Sequence, residues 1–368
     1  MSNRLLVGTR KGLFRIERDG SGHWRIAETW FLGGSGFCAV TRTRWPATPR
    51  GPQSGPLWRQ DTALGRRRPN LVRVSRAGLP AQTGRLGGQG PDAWYRFTLE
   101  HAVDLDPGRW WPWRTLVRRH SRRSVNSTDG GDSWALIRSL WDDPRRQKWV
   151  GDGYDFAGIH SILVDPRDHQ HVTIGVSVGG VWTSKDERAT WRLIGTGLRS
   201  DYMPPGMEGD PLSQDAHRIV QCPANPDRLW MQHHNGIFRT DDGGENWQEL
   251  KDVLPSSFGF AVAVHPRDPD TAWFVPATKD EQRIPVDARL VVTRTRDGGA
   301  QFDVLHRGLP EVPAYDLVYR HALDVASDGK RLAFGSTTGS LWVSEDQGDS
   351  WQTVSRHLPP VSCVRFES

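Results

Sequence analysis

The sequence predicts an all-β chain closed into a seven-bladed β-propeller of four-stranded blades, and three observations predict it. A ten-residue aspartate motif recurs at nearly constant spacing, every repeat carries four short strands, and the C-terminus ends in an extra strand. The motif reads VNSTDGGDSW at Val125–Trp134, WTSKDERATW at Trp182–Trp191 and FRTDDGGENW at Phe238–Trp247. It recurs as VTRTRDGGAQF at Val292–Phe302 and WVSEDQGDSW at Trp342–Trp351. Its aspartates are Asp129, Asp186, Asp242, Asp297 and Asp346, separated by 57, 56, 55 and 49 residues. A degenerate first copy, RIERDGSGHW, places Asp19 two periods before Asp129, and SRAG at Ser75–Gly78 is the only trace of the copy between them.

Each unit follows one strand grammar. In the fourth, HSILVDPRDHQHVTIGVSVGGVWTSKDERATWRLIG alternates apolar runs with DPRD, GG and the aspartate turn, giving four strands. The aspartate accepts backbone N–H groups to build a tight turn, and the aromatic residue five positions on packs against the next strand. Val361–Phe366 (VSCVRF) has no unit of its own and is expected to complete the first blade. The whole chain, residues 1–368, then forms one domain.

Composition sets the outer limits. The 18 Trp among 368 residues exclude a disordered chain, which is poor in aromatics. No apolar run approaches the ~18 residues of a membrane span, so no membrane partner is expected. Three scattered cysteines, Cys38, Cys222 and Cys363, make neither a disulfide framework nor a metal motif. With no basic and apolar leader at the start, a cytoplasmic location is expected.

The propeller mouth supplies the candidate site. When the units are aligned on the proline ending the first strand (Pro166, Pro223 and Pro266, with Ser327 in its place in the last), His160, His217 and His321 fall at one position, which Phe260 occupies in the sixth blade. Equivalent positions point at one axis, so His160, His217 and His321 are a candidate ligand set for a divalent transition metal, for which imidazole is suited. Two units share Tyr-Asp-x4-His, which adds Tyr154 and Asp155 beside His160, and Tyr315 and Asp316 beside His321. Turns between second and third strands add His233, His234, Lys279 and Arg283 as ligand-binding candidates, and the loop before His217 adds Tyr202, Glu208, Asp210 and Asp215. A strand-capping role for the histidines inherited with the repeat remains the competing reading.

The repeats resemble BNR or Asp-box repeats of sialidases, sortilin-type receptors, photosystem II assembly factors and some bacterial glycoside hydrolases. The likeness runs over Met1–Gly36 and Asn126–Ser368 and includes GYDFAGIHSILVDPRD, SSFGFAVAVHPRDPDTAWFVPA and HALDV. It implies a glycosyl-hydrolase-like activity on a carbohydrate or similar polar ligand, with two carboxylates about 5–9.5 Å apart. Asp155 and Asp316 are the catalytic pair it suggests, with Glu208 or Asp215 as alternatives. The sialidase arginine triad is not recognisable among Arg10, Arg283 and Arg320, which argues against sialidase activity. A non-catalytic platform for a protein or acidic ligand, and a His-ligated metal-dependent hydrolase, are the alternatives; fold alone chooses none of them.

Residues 37–125 break this grammar. Between Thr41 and Val125 there are 17 Arg, no Lys and five acids, whereas the remainder holds 31 basic and 38 acidic residues. Such Arg-only basicity is what a shifted frame in GC-rich codons yields. Reading Arg114–Val125 one base later permits GRWCGGIPGGLF, which would complete a blade before NSTDGGDSW; the same offset on Pro49–Gln60 permits RVALNLGHFGVK, similar to second-blade sequences of the resembling family. The segment is expected to be frameshifted and poorly ordered, disrupting blades two and three. Nucleic-acid binding is disfavoured, because real basic patches mix Lys with Arg on a recognisable module.

Overall fold

The structure is a computed structural model that describes residues 3–30, 115–119, 123–127, 135–149 and 157–367. Among them five four-stranded antiparallel sheets and one three-stranded sheet follow one another along the chain as the blades of a β-propeller. The first blade holds β1 (Arg4–Thr9), β2 (Gly12–Arg18) and β3 (Trp24–Trp30). A three-stranded sheet follows from β4 (Thr115–Arg119), β5 (Arg123–Ser127) and β6 (Ala135–Leu136), then a short helix α1 (Arg138–Trp141). The next blade is β7 (Ile159–Asp165), β8 (Asp168–Val176), β9 (Gly180–Ser184) and β10 (Arg192–Ile194). After it come β11 (Ala216–Cys222), β12 (Asn225–His233), β13 (Gly236–Thr240) and β14 (Gln248–Leu250). Then come β15 (Gly259–Val264), β16 (Ala272–Pro276), β17 (Val292–Thr295) and β18 (Asp303–Leu305). The last full unit is β19 (Leu323–Val325), β20 (Leu332–Gly335), β21 (Leu341–Ser344) and β22 (Gln352–Ser355).

The final strand, β23 (Val361–Phe366), pairs antiparallel with β1 and becomes the innermost strand of the first blade, as the sequence predicts. The ring is thus closed by both ends of the chain. The inner strands β7, β11, β15, β19 and β23 contact one another in that order, and His321 bridges Cys363 across the closure. Cys222 and Cys363 are buried free thiols. Residues 37–114, on which the seven-blade count and most of the frameshift reading depend, lie outside the described residues. The end of that segment is described as β4 and β5, which pair in register from Thr115 with Ser127 to Arg119 with Arg123.

The core sits between blades. Trp182, Trp230, Trp273 and Trp342 are fully buried. Trp230 Nε1 donates to Pro269 O at 2.9 Å and Trp273 Nε1 to Gln347 O at 2.9 Å, so these two indoles are anchored on the following blade. The aspartate turns behave as their sequence requires. Asp186 Oδ1 accepts from Thr190 N at 2.9 Å and Ser184 Oγ at 2.8 Å. Asp242 Oδ1 accepts from Asn246 N at 3.0 Å, Asp297 Oδ1 from Gln301 N at 3.0 Å, and Asp346 Oδ1 from Ser350 N at 2.8 Å. Trp24, Trp191, Trp247 and Trp351, each five residues after its aspartate, are buried.

Strand direction sorts the loops between two faces. In an antiparallel meander the start of the first strand, the turn between second and third strands, and the exit of the fourth lie together. The aspartate turns, between third and fourth strands, lie opposite.

Candidate site at the channel mouth

The aligned histidine position is a β-bulge. Pairing of β7 with β8 skips His160, pairing of β11 with β12 skips His217, and pairing of β15 with β16 skips Phe260. In the first blade the register between β1 and β23 skips Ser362. A bulge re-aims the extra side chain and bends its strand, so the repeat delivers one displaced residue per blade at the mouth. In the last full blade His321 stands just before β19.

His217 is completely buried. Its ring stacks on Phe260 with centroids 4.4 Å apart and an interplanar angle of 15°, and its Nδ1 lies 2.7 Å from Gly259 O. A carbonyl can only accept, so Nδ1 carries a proton and Nε2 is turned toward the Asp215 carboxylate. Gly259 is needed there: a Cβ would come within 2.8 Å of Val275 O.

Asp215 and His234 meet His217 from two different loops. Asp215 ends the long loop entering β11, and His234 occupies the turn between β12 and β13. Two contacts stitch these segments together: His234 N donates to Asp215 O at 3.0 Å, and Asp215 N to His233 Nε2 at 3.1 Å. Asp215 Oδ1 accepts from Ser177 Oγ at 2.7 Å. Asp215 Oδ2 lies 3.4 Å from His217 Nε2 and 3.4 Å from His234 Nδ1. Burial works against the Asp215 charge, yet the facing imidazoles and the Arg320 guanidinium hold its carboxyl well below the usual carboxylate range. Among the described residues, Asp215, His217 and His234 are the one group of three or more His, Cys, Asp or Glu whose ligand atoms all lie within 4.8 Å of one another.

The ligand set expected from the repeat is therefore corrected. His160 and His321 do not join His217 in such a group. His321 Nδ1 instead receives Arg218 Nη1 at 2.6 Å, and the same guanidinium nitrogen lies 3.4 Å from His160 O. The residues aligned with Arg218 in the other blades are small: Ser161, Ala261 and, next to His321, Ala322. A histidine that accepts from a guanidinium makes a poor metal ligand, since a cation already holds the lone pair.

The remaining candidates separate. Asp316 Oδ1 accepts from Ser336 Oγ at 2.6 Å and also from Thr338 Oγ1, which ties it to the neighbouring turn. Tyr154 and Asp155 lie outside the described residues, so the carboxylate pair Asp155–Asp316 has no described geometry. His233 is buried and held by backbone N–H groups of Asp215 and Asn235; burial pushes its pKa down to about 3. Lys279 is exposed and pairs with Glu281, and Arg283 binds the Asp280 carboxylate while lying 5.3 Å from the Phe260 ring. Glu208 and Asp210 are turn residues, accepting from Gly206 N and Leu212 N. The sequence did not single out Ser177 or the Gly259 carbonyl, which orient the site; neither carries a side-chain signature before the loops are placed.

Aromatic groups surround the site. Phe258 contacts both His217 and His234 edge-on, and Tyr202 contacts His234 at 5.4 Å. Among the described Phe, Tyr and Trp residues, only Tyr202 and Tyr315 are exposed, at 44% and 62%. Both stand on loops that enter the mouth.

No family model matches this chain, and no curated protein matches it. Among solved structures, an ancestral GH74 enzyme is similar with a TM-score of 0.49 and 12% identity over 96% of this chain and 37% of that one. YCF48 bound to D1 peptide is similar with a TM-score of 0.45 and 12% identity, over 96% of this chain and 78% of that one. The GH74 xyloglucanase from Xanthomonas campestris is similar with a TM-score of 0.29 and 18% identity, over 66% of this chain and 39% of that one. The chain thus spans about a third of the first of these and over three quarters of the second. Likeness at this level carries no chemistry from one chain to another.

Proposed function

We propose that the protein binds a carbohydrate or similarly hydroxyl-rich ligand at the mouth of its channel and hydrolyses it there. One observation carries the reading: the two exposed aromatic rings, Tyr202 and Tyr315, stand on loops entering the face on which Asp215, His217 and His234 converge. An exposed tyrosine offers an apolar ring to the C–H face of a sugar; the Tyr202 hydroxyl donates to Ser213 O, which fixes that ring. The polar cluster then supplies the few placed groups that fix orientation in such a site. The arrangement favours Asp215 over Asp316 as the working carboxylate. Asp215 keeps Oδ2 directed at the imidazoles, whereas Asp316 is committed to Ser336 and Thr338. A single working carboxylate also departs from the two-carboxylate arrangement of most glycosidases.

The test is a screen of oligosaccharides and aryl glycosides against the full chain, followed by the Tyr202→Ala/Tyr315→Ala double variant. Binding or turnover that falls by about tenfold or more in a folded double variant is expected, one stacking contact being worth roughly 0.5–1.5 kcal/mol. Binding without turnover would leave a non-catalytic platform and remove the hydrolytic part. Retention of full affinity by the double variant would overturn the reading.

A further inference from the structure

We infer that Asp215, His217 and His234 form a binding site for one divalent transition-metal ion, with Zn2+ the best match. The inference deepens the ligand-binding reading of this face, and its own support is local geometry.

The first support is orientation. His217 donates Nδ1–H to Gly259 O, which aims its buried Nε2 at Asp215 Oδ2, 3.4 Å away. Two buried ligand atoms directed at one another in this way suit a cation held between them.

The second support is distance. A charge-assisted N–H···O bond closes to about 2.7–2.9 Å, but both N···O separations here are 3.4 Å. Bonds of about 2.0–2.2 Å from a tetrahedral zinc put adjacent ligand atoms roughly 3.3–3.5 Å apart, whereas octahedral geometry at the same bond length puts them roughly 3 Å apart. The two observed edges match the tetrahedral case. The third edge, between the imidazoles, lies within 4.8 Å. His234 is the partly exposed member, with 18% of its side chain accessible, and it can turn to close that edge.

The third support is the setting. Metal-bound imidazoles commonly donate their other N–H to a carbonyl, and ligating carboxylates are themselves hydrogen-bonded. Gly259 O meets the first requirement and Ser177 Oγ, on Asp215 Oδ1, the second. Three protein ligands leave the fourth position open to water or a ligand oxygen, as in catalytic rather than structural zinc sites. Phe258, Phe260 and Tyr202 pack around the imidazoles and limit water on the remaining sides.

Elemental analysis of the full chain, with Zn2+ and Co2+ titration of the chelator-treated protein, tests the inference. One ion per chain is expected, and the cobalt form should show the intense visible bands of tetrahedral coordination. His234→Ala, at a partly exposed position that does not threaten the fold, should lose at least about tenfold in affinity; Ser177→Ala, through the ligating carboxylate, should lose about 10–100-fold. His321→Ala should keep the ion. Failure of Zn2+ and Co2+ to bind the folded chain more tightly than about 100 μM, or unchanged affinity in His234→Ala, would overturn the inference. Oligosaccharide binding that survives metal removal would leave the ligand-binding reading standing without it. A metal-loaded chain that binds no sugar would do the reverse.

Discussion

The two faces of the ring use the same residue type in opposite ways. On one face Asp19, Asp186, Asp242, Asp297 and Asp346 each fold back on their own turn, taking backbone N–H groups within four residues. On the other, Asp215 reaches outside its own loop to Ser177 of the preceding blade and to two imidazoles. A carboxylate that recurs in every unit with local partners is a construction part. One that occurs once, buried, with partners from three segments, has a different job. In a repeat protein the departure from the pattern locates chemistry more sharply than the pattern does.

The largest expected effect lies on the construction side. Trp247 is buried, follows the Asp242 turn and donates Nε1 to Gly244 O at 2.9 Å. Trp247→Ala should destabilise the chain by about 3–5 kcal/mol, with little change in metal or ligand affinity of the molecules that remain folded. Denaturant unfolding read alongside Zn2+ titration makes the measurement. A loss of affinity as large as the loss of stability would mean that the two faces are not separable.

Next in size is the turn aspartate itself. Asp242→Ala removes the acceptor of Asn246 N, the Thr240 hydroxyl and the Asn246 side-chain amide. The expected cost is about 1–3 kcal/mol. His321→Phe belongs in the same range, because it strips Arg218 of a buried acceptor. Equal melting temperatures for wild type and His321→Phe would show that the cross-channel contact carries no weight.

How much of this was legible beforehand follows from the range of each interaction. The strands, the turn hydrogen bonds and the closure by Val361–Phe366 depend on residues near one another in sequence or on a strict repeat, and they were read correctly. The register placing His160, His217 and Phe260 at one position was also legible, because those three units end their first strand in proline. The partnership of Asp215 with His234 was not. Both residues were in view, but their meeting depends on the path of the loop from Ile194 to Ala216, which no local pattern encodes. The Arg218–His321 contact was invisible for a similar reason: it joins residues two blades apart, 103 positions apart in sequence.

Acid sensitivity should arise on the construction face and in the ion pairs between blades, as well as at the buried Asp215. Hydrogen bonds from the Thr190 hydroxyl and backbone and from Ser184 lower the Asp186 pKa to about 2, and Arg199 beside Glu249 lowers that carboxyl to about 2. Both folded values lie below the ordinary 3.8 and 4.5. Their contribution is therefore complete above the ordinary values and is lost as pH falls from about 4.5 towards 2. Urea midpoints measured from pH 5 to 2 should decline, and Asp186→Asn with Glu249→Gln should flatten that decline. An unaltered slope in the double variant would assign acid unfolding to other carboxylates.

The smallest expected effect is the most discriminating for the mouth. His160 shares the bulge position of His217, but its side chain is only partly buried, and it is its carbonyl that faces Arg218. Phenylalanine is already tolerated at the equivalent position as Phe260, fully buried and stacked on His217. His160→Phe should therefore shift stability by less than His321→Phe does, and leave Zn2+ affinity unchanged. The measurement pairs a melting curve with metal titration of the variant. Loss of the metal with stability intact would return His160 to the ligand set and restore the three-histidine arrangement that the repeat alone suggests. Retention of both would confine the chemistry of this face to the one blade whose entry loop supplies Asp215.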